Sequence, residues 1–146
     1  MKHHIGIGVV LRRGDDVLLG VRKNAHGAGQ YSFPGGSVEG TETFAECAAR
    51  ETREETGIDI APEHFAAWTF TDDPFPEIGK RFATLYYVAD APESARLLER
   101  ADAGGTFIPG LEPHKCERWA WHPWSRLPAP LFAGLQKIRA LSLPGR

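Results

Sequence analysis

Three carboxylates near the middle of this chain are spaced for joint chemistry. Glu51, Glu54 and Glu55 stand at i, i+3 and i+4 within the segment FAECAARETREET, residues 44–56. On a helix they fall within an arc of roughly 100°. Like charges at these spacings repel, and the last turns of a helix already carry negative partial charge, so local rules are broken twice in one place. Such conflicts mark functional positions more often than structural ones. A solvated charged face is the competing reading, because Arg50 is placed to pair with Glu54 and Arg53 to relieve repulsion. With no basic residue expected on the carboxylates' own face, a hard divalent cation, magnesium or manganese, explains their convergence better. No acidic loop of the EF-hand kind accompanies them. Upstream, Pro34-Gly35-Gly36 allows the backbone to approach a metal or phosphate closely, and a free carbonyl of Gly35 or Gly36 can join the ligands. Alone, that tripeptide reads as a turn.

These residues need a scaffold, and the flanking sequence supplies one. A helix is predicted over Phe44 to Thr56, with Thr43 and Glu46 spaced as a capping box and Gly57 as its stop. Phe44, Ala45, Ala48, Ala49 and Thr52 form its expected buried stripe. Ile5 to Leu11 reads as a strand with Ile5, Ile7 and Val9 on one face, while Gly6 and Gly8 leave the other face bare. Gly14-Asp15 turns the chain into a second strand, Asp16 to Lys23, which a glycine-rich loop follows, Asn24 to Gln30. Further strands are expected at Ala66–Thr71, Arg81–Ala89 and Arg118–His122, with Asp72 to Pro76 as a loop. The stretch from Ala91 to Lys115 looks irregular apart from a helical turn near Ala95–Arg100, and a last helix spans about Leu131 to Leu141. Strands interrupted by two well-separated helices, without βαβ alternation, predict an α+β fold in which a mixed β-sheet is sandwiched between α-helices (α/β/α).

The bulk numbers bound what that scaffold does. The chain has 146 residues, which suits a single domain over 1–146. A net charge of −2 offers no general attraction to nucleic-acid polymers or anionic membranes, so a polyanionic substrate needs local cations or bound metal. No apolar run is long enough to span a bilayer. Cys47 and Cys116 make no disulfide framework, and the six histidines show no zinc spacing. A cytoplasmic location is the expectation.

The spacing of these residues resembles the Nudix box: Gly, five residues, Glu, seven residues, Arg-Glu, two residues, Glu-Glu, one residue, Gly and a hydrophobic position. Here it reads GSVEGTETFAECAARETREETGI, with Gly36, Glu42, Arg50, Glu51, Glu54, Glu55, Gly57 and Ile58 in place. Only Thr52 departs, where an aliphatic residue is usual. Outside the box, VLLGVRK, the Gly27-Ala28-Gly29 loop, ERWAWHPW and LFAGL look like the eukaryotic branch of this family that hydrolyses dGTP and thiopurine nucleotides. Ala133 departs from that branch's tryptophan, and the Ala91–Lys115 stretch is longer.

The resemblance implies a Nudix fold and a magnesium-dependent enzyme acting on a small nucleotide. It implies that Glu51 and Glu55 are the main metal ligands, with Glu54 a further ligand, and that Glu51 or Glu54 serves as the base. Arg50 becomes an orienting residue paired with Glu42 or a neighbouring carboxylate. Arg22 would hold terminal phosphates, with Lys23 beside it, and Phe82, Thr84, Phe132 and Leu135 would line the base pocket. Core packing is the competing role for Phe132 and Leu135, as it is the preferred one for Trp119, Trp121 and Trp124. Glu117 reads as an extra carboxylate or a rim charge. A homodimer is implied as well.

Hydrolysis of a nucleoside triphosphate to the monophosphate and pyrophosphate is the leading expectation. Cleavage of ADP-ribose or another nucleoside diphosphate sugar is the alternative, since Pro74 lies sixteen residues beyond Ile58, a spacing resembling that of ADP-ribose-cleaving members. Prenyl diphosphates remain open because the box addresses the diphosphate. A catalytically inactive nucleotide-binding module would have lost an acidic box residue, and none is lost.

Overall fold

A computed structural model describes residues 1–24 and 26–145. Ala25, in the predicted glycine-rich loop, and the terminal Arg146 lie outside the described residues. The sheet is built from β1 (Lys2–Arg13), β2 (Asp16–Val21), β3 (Tyr31–Ser32), β4 (Gly35–Ser37), β5 (Ala66–Phe75), β6 (Lys80–Asp90), β7 (Arg100–Asp102), β8 (Gly105–Pro109) and β9 (Arg118–Pro123). Among the described residues its order is β5-β6-β1-β2-β9-β8-β7, with β3 laid on β2 and β4 on β1. It is mixed: β1 and β6 run parallel from Lys2↔Lys80 to Arg12↔Asp90, and the other pairs are antiparallel.

The hairpin between β1 and β2 turns at Gly14, whose φ of 63° places it in the left-handed region. The two strands pair only beside that turn, at Arg12↔Val17 and Arg13↔Asp16. Beyond it they separate, and β4 takes over pairing with β1 at Gly6↔Ser37, Ile7↔Gly36 and Gly8↔Gly35. The Gly35-Gly36 pair is therefore strand, not a bare turn.

Helices α1 (Phe44–Thr56) and α2 (Ala133–Ile138) each cover one of two buried clusters. Ile7, Val9, Leu11 and Leu18 meet Cys47, Ala48 and Ala49 of α1 in the first. Val10, Val17, Leu19 and Val88 meet Leu135 and Ile138 of α2 in the second. Adjacent residues of β1 thus feed opposite layers, as the period-2 geometry of a strand requires. The predicted mixed sheet between helices is the observed one.

Several local expectations are corrected. Ile5 is 48% exposed and does not share the burial of Ile7 and Val9. Phe44 lies outside the buried stripe of α1, which consists of Cys47, Ala48, Ala49, Glu51, Thr52, Glu55 and Thr56. The expected loop at Asp72 to Pro76 is mostly strand: β5 runs through Pro74 to Phe75, and Pro74 is tolerated because β5 is at the sheet edge. Strand β2 stops at Val21, leaving Arg22 and Lys23 beyond its end. The irregular stretch contains a 3-10 turn at Glu93–Leu98 and the β7–β8 hairpin, and α2 is shorter than Leu131 to Leu141.

Candidate active site

The acidic face begins with how α1 is held. Thr43 and Glu46 form the predicted capping box, with Glu46 N–H donating to Thr43 Oγ1 at 3.1 Å and Thr43 N–H to Glu46 Oε1 at 2.8 Å. Gly57 closes the helix in the left-handed conformation, φ 78°. Thr52, where an aliphatic residue would be usual, is fully buried, and its hydroxyl donates to the Ala48 carbonyl at 2.7 Å. The polar atom is satisfied inside the helix, so the substitution leaves no orphaned donor.

Arg50 organises the face. Its guanidinium donates to both Glu42 oxygens (3.0 and 2.8 Å), to Glu51 Oε1 (2.9 Å), to Glu54 Oε2 (3.2 Å) and to the Ser37 carbonyl (3.1 Å). The expectation that the carboxylates have no basic neighbour on their own face is overturned, because a long, forked side chain reaches across it. These bonds hold the Glu42 carboxyl well below its ordinary range, at about 2. Glu51 is 6% exposed, and burial pushes its carboxyl up despite Arg50. Its second oxygen, Oε2, is buried without a hydrogen-bond partner.

Of the three box glutamates, Glu55 alone is among the residues lining the adjoining cavity. Glu51 and Glu54 gather with Glu112, their carboxylate oxygens all within 4.8 Å of one another. Glu55 instead reaches the floor of the adjoining cavity, where the Gly35 N–H donates to its Oε2 at 2.8 Å. Burial, followed by repulsion from Glu51, pushes Glu55 up to about 8. Gly36 abuts the Glu51 carboxylate so closely that a methyl group there would overlap it.

Glu112 is the acid that sequence reasoning missed, and Glu117 is not its substitute. Glu117 is exposed and pairs with Lys23 at 2.8 Å, and Lys23 is not among the residues lining the cavity described below. Glu112 comes from the segment between β8 and β9, where no periodicity pointed to it. The Glu55 carbonyl anchors that segment to α1: it accepts from the Leu111 N–H at 3.0 Å and from Trp119 Nε1 at 3.2 Å. Lys115, on the same segment, lies 3.5 Å from Glu112.

Beside the acids opens a cavity of about 270 Å³, lined by all five predicted substrate residues, Arg22, Phe82, Thr84, Phe132 and Leu135. Gly6 and Gly8, on the bare face of β1, line it too. Arg22 sits over the Phe132 ring at 4.1 Å and donates to the His26 carbonyl at 3.1 Å; burial lowers its pKa. Phe75 and Phe132 stack at 5.7 Å, and His26 meets Phe75 edge-on at 4.3 Å. Asp73, His26, Phe75 and Tyr86 of this lining were not anticipated. Trp119 is buried in the core and also lines the cavity, Trp121 packs under the Arg13 guanidinium at 4.5 Å, and Trp124 meets Trp68 edge-on. Cys47 is buried, and burial pushes its thiol up to about 12. Among the described residues no helix is long and apolar enough to cross a membrane.

The NUDIX domain profile matches residues 2–141. Among curated relatives, NAD-capped RNA hydrolase NudC of Stutzerimonas stutzeri is 34% identical over 125 residues, 83% of this chain and 37% of the relative. The 8-oxo-dGTP diphosphatase of Escherichia coli is 32% identical over 87 residues, covering 59% of this chain and 64% of the relative. Phosphatase NudJ of the same species is 38% identical over 64 residues, 44% of this chain and 41% of the relative. The chain therefore spans less than two thirds of each of these relatives. A solved MutT NUDIX hydrolase from Burkholderia pseudomallei superposes with a TM-score of 0.75 at 26% identity, covering 95% of this chain and 96% of the other. With the box intact on α1 and the profile matched over nearly the whole length, this chain belongs to the Nudix domain family.

Proposed function

We propose that this chain is a magnesium-dependent hydrolase of a diphosphate linkage in a small nucleotide, converting a nucleoside triphosphate to the monophosphate and pyrophosphate. The observation that carries the reading is the Glu51, Glu54 and Glu112 cluster, with one orphaned, buried Glu51 oxygen, placed beside the cavity of about 270 Å³. The donor set fits a hard cation: it is all oxygen, and an unpartnered buried carboxylate oxygen is costly unless a cation satisfies it. Glu51, Glu54 and Glu112 would hold the ion, with Glu55 and a backbone carbonyl of Gly35 or Gly36 completing the protein's share. When bound, it would neutralise phosphoryl charge and lower the pKa of the attacking water.

The chain's own residues do the rest. Arg50, itself held by Glu42 and the Ser37 carbonyl, donates to Glu51, so the ligand is positioned before substrate arrives. Glu54 is the exposed member, restrained by a single ion pair, and is the better placed of the two candidate bases to accept the water's proton. Arg22 and Lys115 bring positive charge to the cavity wall for the phosphates. The aromatic wall of Phe75, Phe82 and Phe132 receives the base. The Pro74 cue for ADP-ribose does not strengthen the alternative, because Pro74 is exposed on β5 and is not part of the cavity lining. Homodimer formation and a cytoplasmic setting belong to the same reading; sedimentation of the purified protein checks the first.

The test is product identification with magnesium across nucleoside triphosphates, ADP-ribose and prenyl diphosphates. Release of pyrophosphate from a triphosphate supports the reading. Preferential cleavage of ADP-ribose would replace it, and absence of turnover with every compound would leave a binding module.

A further inference from the structure

The cavity has a polar end that hydrolysis does not use. Asp73 is 3% exposed yet lines the cavity, and it stands on edge strand β5, two strands from the β1 strand that carries β4. A carboxylate so deeply placed must be satisfied, and the hydrogen bonds around it show how. Thr71 Oγ1 donates to Asp73 Oδ2 at 2.6 Å, and Lys137 Nζ donates to Asp73 Oδ1 at 2.8 Å. Thr71 has one hydroxyl hydrogen and gives it to Asp73. The 3.2 Å contact between Thr71 Oγ1 and Tyr86 Oη therefore has Tyr86 as donor. The network runs in one direction, Tyr86 to Thr71 to Asp73, with Lys137 closing it from the surface side. It fixes the carboxylate's orientation but fills only about two of its roughly four acceptor positions.

Two further features adjoin this network. Gly134, at the start of α2, comes so close to the Tyr86 hydroxyl that any side chain there would overlap it, and Asp73 Oδ2 lies 3.3 Å from where a Cβ would sit. His26, another residue of the lining, meets Phe75 edge-on, and its Nε2 is buried without a partner. An apolar guest would leave that nitrogen and the open Asp73 positions unsatisfied, whereas a planar heterocycle with polar edges would answer both.

Given the nucleotide reading above, on which this inference rests, we infer that Asp73 is the base-selecting residue. It would accept hydrogen bonds from a ring that presents an N–H and an exocyclic amino group side by side. Guanine has that edge. Hypoxanthine keeps the N–H but lacks the amino group, adenine and cytosine place an acceptor beside theirs, and thymine and uracil flank their N–H with two acceptors. A carboxylate, which only accepts, rewards the first and meets an acceptor or an empty position in the others.

The experiment compares dGTP with dITP as substrates, by kcat/KM in magnesium, and dGMP with dIMP as ligands, by calorimetry. Each pair differs by the amino group alone. The expected preference for the guanine member is roughly 10–100-fold in both measurements, the range for a hydrogen bond to a charged group. In Asp73→Asn the ratio should fall towards one. Equal treatment of the two bases by the wild-type protein overturns the inference without any variant being needed. So does a D73N protein that keeps the full preference and only melts earlier, which would make Asp73 a structural anchor. If D73N does not fold, Thr71→Val, which removes the donor that orients the carboxylate, should reduce the same ratio; an unchanged ratio overturns the proposal. Selective binding of dGMP without turnover of any triphosphate would uphold the base selection while removing the hydrolytic reading, so the two fail separately.

Discussion

Glu55 holds a proton more tightly in the folded chain than outside it, and the sign of that shift sets a pH dependence. Its folded value is raised to about 8 from 4.5, so between those values the native state binds more protons than the unfolded one. Stability without metal should therefore fall as pH rises through that window, by up to roughly 1.4 kcal/mol per pH unit from this group. Glu55→Gln should remove that part of the slope, because the amide keeps an oxygen for the Gly35 N–H and cannot ionise. Urea unfolding of both proteins in chelator at pH 5 and pH 8 measures the difference. The same variant should abolish metal-dependent turnover while the fold persists; wild-type activity would sink the ligand assignment. The neighbouring glycines separate two further roles. A methyl group at Gly36 overlaps the Glu51 carboxylate, whereas one at Gly35 overlaps the Ile7 carbonyl of β1. Gly36→Ala should weaken magnesium binding roughly tenfold or more at nearly unchanged melting temperature. Gly35→Ala should lower the melting temperature, and equal thermal loss in both would refute the distinction.

At the scale of elements, α1 was legible almost to the residue because several independent signals agreed on it: the capping box, the terminal glycine and the acidic periodicity. Thr43→Ala should cost about 1 kcal/mol of stability and leave the metal preference unchanged, as thermal melts and magnesium titration would show. Strand β5 was legible only in part. Pro74 and the paired aspartates carry turn chemistry, and nothing local reveals that an edge strand can accommodate them. Asp73 was lost with that misreading, since its burial alternates with Thr71 only once the segment is extended. Glu112 escaped for another reason: its approach to Glu51 and Glu54 depends on a long-range backbone anchor at the Glu55 carbonyl, which no spacing encodes.

For the whole molecule, the sheet sets two polar groups on either side of one cavity, one beside its centre and one at its edge. The acids sit where α1 crosses β4, and the Asp73 network sits on β5 against α2, with the cavity between them. The mixed sheet between helices followed from patterning, since the strand and helix periods are local. The strand order did not, because the parallel pairing of β1 with β6 joins residues nearly eighty positions apart. If magnesium bridges the acidic cluster, it should stabilise the domain as a unit. At a hundred times its dissociation constant the gain is about 2.7 kcal/mol. For a chain of this size that corresponds to a rise of roughly 5–10 °C in melting temperature, and a melt insensitive to magnesium would count against the cluster as a metal site.

The β7–β8 hairpin ends in an exposed turn at Ala103-Gly104, while the chain that follows is fastened back to α1 through Leu111 before Glu112 is reached. Whatever is added at that tip is therefore isolated from the acids by the fastening. Ala103-Gly104 is the place to splice in a fluorescent reporter, an immobilisation tag or a second enzyme, producing a working fusion from the middle of the chain with both termini left free.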